Sequence, residues 1–292
     1  MRETRLSDIT GWLQTLEAFR NTGACAAPGF LMPYHFVTLG LMLKEVRAGQ
    51  LGLPPEIEGY AARMKLWDAI GLESPVKVSG GPRGTHFHAL TPLVDLNKVG
   101  DVAIDLSNLV TSHVGKPCNE ETASSLYTTL TELLGNCYHH ARMEDDLHGL
   151  VCAQTWYQGR RAQFAIGDSG IGIRASLSEN ADLKKRLDSG NACSLALRLG
   201  ISSKLGNKHS GYGLTVAKDL ALQTPGSSLI VLSHGEAAVA KGGARAVTEY
   251  TKLKHGIAGT LVVFEWDMKT PLDIKGVYAG WPKVEEDGDD FF

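Results

Sequence analysis

Three short segments of the chain carry side chains whose types and spacing could support chemistry. In the first, Glu132 and Asn136 are four residues apart, and His139 and His140 follow. On a helix, a carboxylate and a carboxamide at this spacing leave the same face, where they can polarise a water and bind a hard cation such as Mg²⁺. The same pair also fits an ordinary solvated helix surface, which is the commoner origin of such a spacing.

The histidines of this segment have two interpretations. His139 and His140 can donate hydrogen bonds to phosphate oxygens, or they can simply be half-exposed on the helix. No third ligand stands nearby at a zinc-like spacing, so we do not expect a zinc site.

The second segment, Asp168-Ser-Gly170-Ile-Gly172, follows an apparent strand. A carboxylate at a strand end can accept a hydrogen bond from an exocyclic amine such as that of adenine. The glycines let the backbone approach a base and a ribose closely. Taken alone, the string is usually just a turn.

The third segment, Gly211-Tyr-Gly213-Leu214, is a glycine turn that opens a helix, and the free N–H groups of a helix start favour phosphate. It is not a dinucleotide fingerprint, because the polar residues 207–210 precede it in place of an apolar strand. The Walker lysine string is absent from the sequence. Residues 174–210, which include Lys208, form a long polar segment. They suit a mobile lid over a triphosphate, or else an ordinary surface excursion.

The elements that must position these segments are predicted from apolar periodicity and turn signals. Helices are expected over residues 33–46, 54–71 and 119–141, the last with Asn119 as its N-cap. A hairpin is expected from residues 150–157 and 161–167, and further strands from residues 229–233, 247–253 and 260–266.

Composition limits the class of protein. The 292 residues are 43% hydrophobic and 21% charged, which is typical of a globular chain long enough for two domains. A formal net charge of −3 gives no basic field, so we do not expect nucleic acid as a partner. Five scattered cysteines without a CxxC favour reduced thiols in a cytoplasmic protein. We expect no signal peptide, and no membrane span because Pro33, His35 and Lys44 interrupt the longest apolar stretch.

Taken together and in this order, the three segments resemble those of the GHKL ATPase superfamily, which includes the ATP domains of gyrase, heat-shock chaperones, MutL and histidine kinases. Gly259-Thr260 is similar to the family's closing strand, whose threonine supports the adenine-binding acid. The resemblance implies ATP and Mg²⁺ as cofactors, with Asn136 as the metal ligand and Glu132 as the general base. The residues that it assigns to the nucleotide are Asn136, His139, His140, Asp168, Gly170, Gly172, Ile173, Lys208, Ser210, Gly211, Tyr212, Gly213, Leu214 and Thr260.

The same resemblance implies an α/β fold class. Residues 115–270 would form a two-layer α/β sandwich, the Bergerat ATP-binding fold. Residues 1–114 would precede it as a smaller mixed α/β domain that resembles STAS-like domains through Phe30-Leu-Met-Pro33 and Tyr60-Ala-Ala-Arg-Met64. Residues 271–292 would be an acidic tail, either solvated or a docking peptide.

Three functions follow as hypotheses. The first is a Mg²⁺-dependent ATP-binding protein with slow hydrolysis, whose lid closure regulates a protein partner or the N-terminal domain. The alternatives are an anti-sigma-type serine/threonine kinase acting on a STAS-like partner, and a non-catalytic module that senses ATP. A self-phosphorylating histidine kinase is disfavoured, because the chain has no His-Glu-x-x-Thr-Pro phosphoacceptor. The sequence does not decide whether the protein forms a homodimer.

Overall fold

The computed structural model describes residues 3–22, 26–49, 51–77, 86–111, 119–140, 147–156, 160–203 and 212–282. The strands in these ranges are β1 (Phe87–Leu93), β2 (Gly149–Trp156), β3 (Arg161–Asp168), β4 (Ser228–Lys241) and β5 (Val247–Asp267). The α-helices are α1 (Leu6–Thr22), α2 (Pro33–Glu45), α3 (Pro55–Arg63), α4 (Leu66–Ile70), α5 (Val99–Thr111), α6 (Glu120–His140), α7 (Gly172–Ser178), α8 (Lys184–Ser189), α9 (Ala192–Ala196), α10 (Gly213–Gln223) and α11 (Ile274–Ala279).

The strands form one antiparallel sheet in the order β1-β2-β3-β5-β4, so the predicted α/β class is confirmed. The predicted hairpin is β2–β3, paired from Leu150 with Gly167 to Trp156 with Arg161. The strands expected at residues 247–253 and 260–266 are joined in the single long strand β5. The pairing of β4 with β5 shifts register at His234, and Gly256 lies so close to the carbonyl of His234 that a side chain would not fit there.

Both faces of the sheet are covered by helices. Successive residues of a strand point to opposite faces, so Phe164 faces a core with α5, α6 and α10, while its neighbour Ala165 faces a core with α1 to α4. The sheet is therefore the middle of three layers.

The region before residue 114 is joined to the rest of the chain through this sheet. β1 pairs with β2 along its length, and α2 packs against β2 and β3. The N–H of Thr4 also donates to the buried carboxylate of Glu265 on β5, at 3.3 Å. A strand before residue 114 thus pairs with a strand after it, and the domain boundary at residue 114 stays a prediction.

Local signals explain how the individual helices begin and end. Asn119 caps α6 as predicted, since its side-chain oxygen accepts the N–H of Thr122 at 2.8 Å. The helix predicted over residues 54–71 is divided into α3 and α4, because Lys65 has a left-handed backbone with φ 56°. Gly71, which is also left-handed, ends α4 as expected.

The region predicted as an acidic tail begins with ordered structure. Leu272 and Val277 are buried in the core beside α6, Ile274 is also buried, and α11 lies within this region. The acidic residues 285–290 lie outside the described residues. In the described part of the chain, no helix is long and apolar enough to cross a membrane.

Candidate functional site

A cavity of about 360 Å³ opens between α6, the start of α10, the helices α7 and α9, the end of β3 and the neighbouring part of β5. Residues from all three of the sequence segments line it. The predicted site residues found in its wall are Glu132, Asn136, His139, Asp168, Gly172, Ile173, Tyr212, Gly213, Leu214 and Thr260.

Of the other five predicted residues, only Gly170 is among the residues whose side-chain surroundings the structure describes. Gly170 is described, but it contacts Asp168 and does not line the cavity. Lys208, Ser210 and Gly211 lie outside the described residues, as does the side chain of His140. Their assignment to the nucleotide stays a prediction.

The helix α6 supplies a polar stripe to the cavity. Glu132 is exposed at the cavity rim, whereas Asn136 and His139 are half-buried. The start of α10 packs directly against this stripe. A methyl group at Gly213 would lie 2.9 Å from a carboxylate oxygen of Glu132 and 3.4 Å from the amide nitrogen of Asn136. The first and third segments are therefore in contact.

The second segment supplies a buried acid. Asp168 ends β3 and is only 7% exposed. Its carboxylate accepts the N–H of Gly170 at 2.8 Å, and it lies opposite Thr260 on the β3–β5 ladder. Burial raises the pKa of Asp168 to about 6, and hydrogen bonding from Gly170 and Thr260, together with the nearby His234, holds it from rising further.

The turn after Asp168 is held from β4. The hydroxyl of Ser233 accepts the N–H of Ile173 at 2.8 Å and donates to the carbonyl of Gly259 at 2.9 Å. Gly172 has φ 77°, a conformation that suits glycine, and its Cα lies against the ring of His234. The turn is thus fixed by backbone contacts that leave the Asp168 side chain facing the cavity.

The helices α7 and α9 supply another part of the wall, in the region for which a mobile lid was one hypothesis. Arg174 donates to both carboxylate oxygens of Glu236 on β4, at 2.7 and 2.9 Å, and to the carbonyls of Leu187 and Gly190. Glu236 also accepts the N–H of Ala192 at 3.2 Å. Arg174 and Ala192 are therefore attached to β4 through Glu236, and the lid stays a prediction.

Among the described residues, no group of three or more His, Cys, Asp or Glu is arranged to hold an ion. Mg²⁺ in nucleotide sites takes few protein oxygens and completes its shell with phosphates and waters. The carboxamide of Asn136, at the half-buried centre of the α6 stripe, fits that role.

The sequence matches no protein-family model and no curated protein.

Sequence reasoning missed part of the cavity wall. Thr131, Ser176, Ser202 and Ser203 line it, and so do the apolar side chains of Leu96, Val99, Ile166, Leu177, Ala196, Ile201 and Val262. The alternation along β3 and β5 could have identified Ile166 and Val262, because they lie two residues from Asp168 and Thr260 and so share their face.

Proposed function

We propose that this chain is a Mg²⁺-dependent ATP-binding protein of the GHKL (Bergerat) type that hydrolyses ATP slowly. The observation that carries the proposal is the convergence of three separate segments on one cavity. The buried Asp168 lies in one part of that cavity. In another part, Glu132 and Asn136 of α6 contact the start of α10.

The adenine would bind at Asp168. The Asp168 carboxylate is buried among the apolar side chains of Ile166, Ile173 and Val262, which suit the faces of a flat base. Burying an ionised carboxylate is costly unless donors surround it. The exocyclic amine of adenine would add a further donor to those from Gly170 and Thr260.

The phosphates would bind where α6 meets α10. The helix α10 has eleven residues, and its first N–H groups have no partners within the helix. Such a helix start favours an anion. Asn136 would hold Mg²⁺, which when bound neutralises phosphate charge, and the half-buried His139 could donate to a phosphate oxygen.

Hydrolysis would depend on Glu132. Its carboxylate is exposed at the rim, beside Gly213 and one helical turn from Asn136. There it would accept a proton from a water molecule as the water oxygen attacks the terminal phosphorus. The bond between that phosphorus and the bridging oxygen breaks, and ADP and phosphate leave.

Signalling to a STAS-like N-terminal region or to a partner stays a prediction. One feature favours such coupling: α2 packs on β3, the strand that ends in Asp168. Movement of residues 174–203 as a lid is not part of the proposal, because Arg174 and Glu236 hold that region to β4.

The proposal is tested by calorimetric titration with ATP plus Mg²⁺, ADP, GTP and adenosine. We expect binding of the adenine compounds, little binding of GTP, and loss of binding in Asp168→Ala. A phosphate-release assay then measures turnover. Labelled ATP with a candidate STAS-like protein separates the alternatives, because label on that protein would indicate a kinase. Absence of any heat with ATP and Mg²⁺ would rule out the proposal.

A further inference from the structure

Residues 271–282, called here the C-terminal arm, run from the end of β5 to the two helices that carry the polar parts of the candidate site. Leu272 and Val277 are almost completely buried, so the arm is part of the core and not a loose extension. Asp273 caps α11 by accepting the N–H of Gly276 at 2.8 Å.

The arm is attached to α6 by buried hydrogen bonds. The N–H of Leu272 donates to the hydroxyl oxygen of Thr122 at 3.2 Å, and the N–H of Ile274 donates to that of Ser125 at 3.0 Å. Ser125 in turn donates to the carbonyl of Leu272 at 3.3 Å. Both hydroxyl side chains are buried, so these contacts satisfy groups that water cannot reach.

The end of the arm is attached to α10. The indole N–H of Trp281 donates to Asp219 at 2.8 Å. The same ring lies 5.1 Å from the ring of Tyr212 and 5.2 Å from that of Tyr278, centroid to centroid. These are distances at which aromatic pairs attract each other. Trp281 therefore contacts both the residue that precedes α10 and a side chain from its middle.

The second attachment reaches the cavity through Tyr212. Tyr212 lines the cavity and directly precedes Gly213, which packs against Glu132 and Asn136. Burial raises the pKa of the Tyr278 phenol, and the negative charge of Glu132 raises it further. The arm therefore also interacts electrostatically with Glu132. The arm thus spans the junction at which the proposed phosphate site is assembled.

We propose that Trp281 is a positioning residue for the phosphate end of the site. By holding Tyr212 and Asp219, it sets the start of α10 against the polar stripe of α6. The inference rests on the proposed function, because it assigns the arm to phosphate binding.

The adenine end has different supports. The donors to Asp168 come from Gly170 and Thr260, and the turn that follows is held by Ser233 on β4. Loss of the Trp281 contacts should therefore weaken the binding of a nucleotide triphosphate and leave the binding of a nucleoside nearly unchanged. A general loss of stability would weaken both.

The test compares Trp281→Ala and Trp281→Phe with the wild type, using Tyr250→Ala as a control because Tyr250 is a highly exposed aromatic residue of β5. Calorimetry gives the affinities for ATP with Mg²⁺ and for adenosine. We expect Trp281→Ala to weaken ATP binding about tenfold and adenosine binding by less than about twofold. Trp281→Phe keeps a ring beside Tyr212, so its affinity for ATP should be only about threefold lower than that of the wild type.

Hydrogen exchange of the protein without ligand provides an independent measurement. The amides of residues 213–217 should exchange faster in Trp281→Ala than in the wild type or in Tyr250→Ala. Unchanged exchange, or equal weakening of ATP and adenosine binding, would overturn the role of Trp281 while leaving the proposed function intact. A wild-type protein that binds neither ATP nor adenosine would overturn both. If Trp281→Ala does not fold, Asp219→Asn replaces it in the same comparison.

Discussion

Thr260 lies directly opposite Asp168 on the β3–β5 ladder, and hydrogen bonding from its backbone and side chain lowers the pKa of the Asp168 carboxyl. Both residues line the cavity. The hydroxyl of Thr260 therefore favours the ionised form of the group proposed to bind adenine.

Thr260→Val should remove the hydroxyl and keep a similar shape. We expect adenosine affinity to fall about fivefold, because the carboxylate loses a donor worth about 1 kcal/mol and becomes harder to ionise. Calorimetry with adenosine measures the effect. Thr260→Ser is the matched control, since it keeps the hydroxyl and should bind nearly as the wild type does. Equal affinities for the Val and Ser variants would contradict this role.

The raised pKa of Asp168 predicts a pH dependence of stability. The pKa of Asp168 is about 6 in the folded protein, against an ordinary value of 3.8 that applies to the unfolded chain. Between these two pH values, the folded state therefore retains a proton that the unfolded state has released. The free energy of unfolding should therefore decrease by up to about 3 kcal/mol as the pH rises from about 4 to about 6, and this contribution should be constant above that. Urea unfolding across this range should show the slope in the wild type and a smaller slope in Asp168→Asn.

Adenosine binding should change in the opposite direction with pH. The ionised carboxylate of Asp168 is the better acceptor for an amine, so affinity should fall as the pH drops below about 6. Adenosine is the appropriate ligand because it has no phosphate to titrate. Affinity that stays constant from about pH 5 to about pH 7 would argue against direct contact between Asp168 and the base.

Glu132→Gln tests the general base. The carboxamide keeps the size of the side chain but cannot accept a proton, so turnover should fall by at least about 100-fold. Affinity for ATP with Mg²⁺ should change by less than about threefold. Glu120→Gln is the control, because Glu120 is an exposed residue at the start of the same helix. An unchanged rate of phosphate release in Glu132→Gln would show that another group accepts the proton.

Gly172→Ala tests the turn that follows Asp168. The residue has φ 77°, and an added methyl group would overlap the ring of His234 and lie 2.8 Å from the hydroxyl of Ser233. We expect a loss of about 2 kcal/mol in the free energy of unfolding, with weaker adenosine binding because the turn must shift. Gly11→Ala, on helix α1 with no atom within 4 Å of the new methyl group, should not destabilise the protein. Equal stability of the two variants would contradict the prediction.

The local features of the fold could be predicted from the chain itself. The Asn119 cap, the apolar period of α6, the β2–β3 hairpin and the Gly71 stop each depend on residues close together in sequence. The types of side chain at the site could also be predicted, because their spacing indicates which groups share a helix face or end a strand.

Tertiary structure decided which distant parts meet. The pairing of β1 with β2 joined the N-terminal region to the sheet, and the ion pair between Arg174 and Glu236 packed the expected lid region. The contact of Trp281 with Tyr212 brought the C-terminal arm to the cavity. Helix caps and apolar periodicity depend on residues that are neighbours along the chain, so the amino-acid sequence by itself determines them. Contacts between distant residues depend on which strand edges and helix faces are left to cover one another, and only the folded chain reveals that.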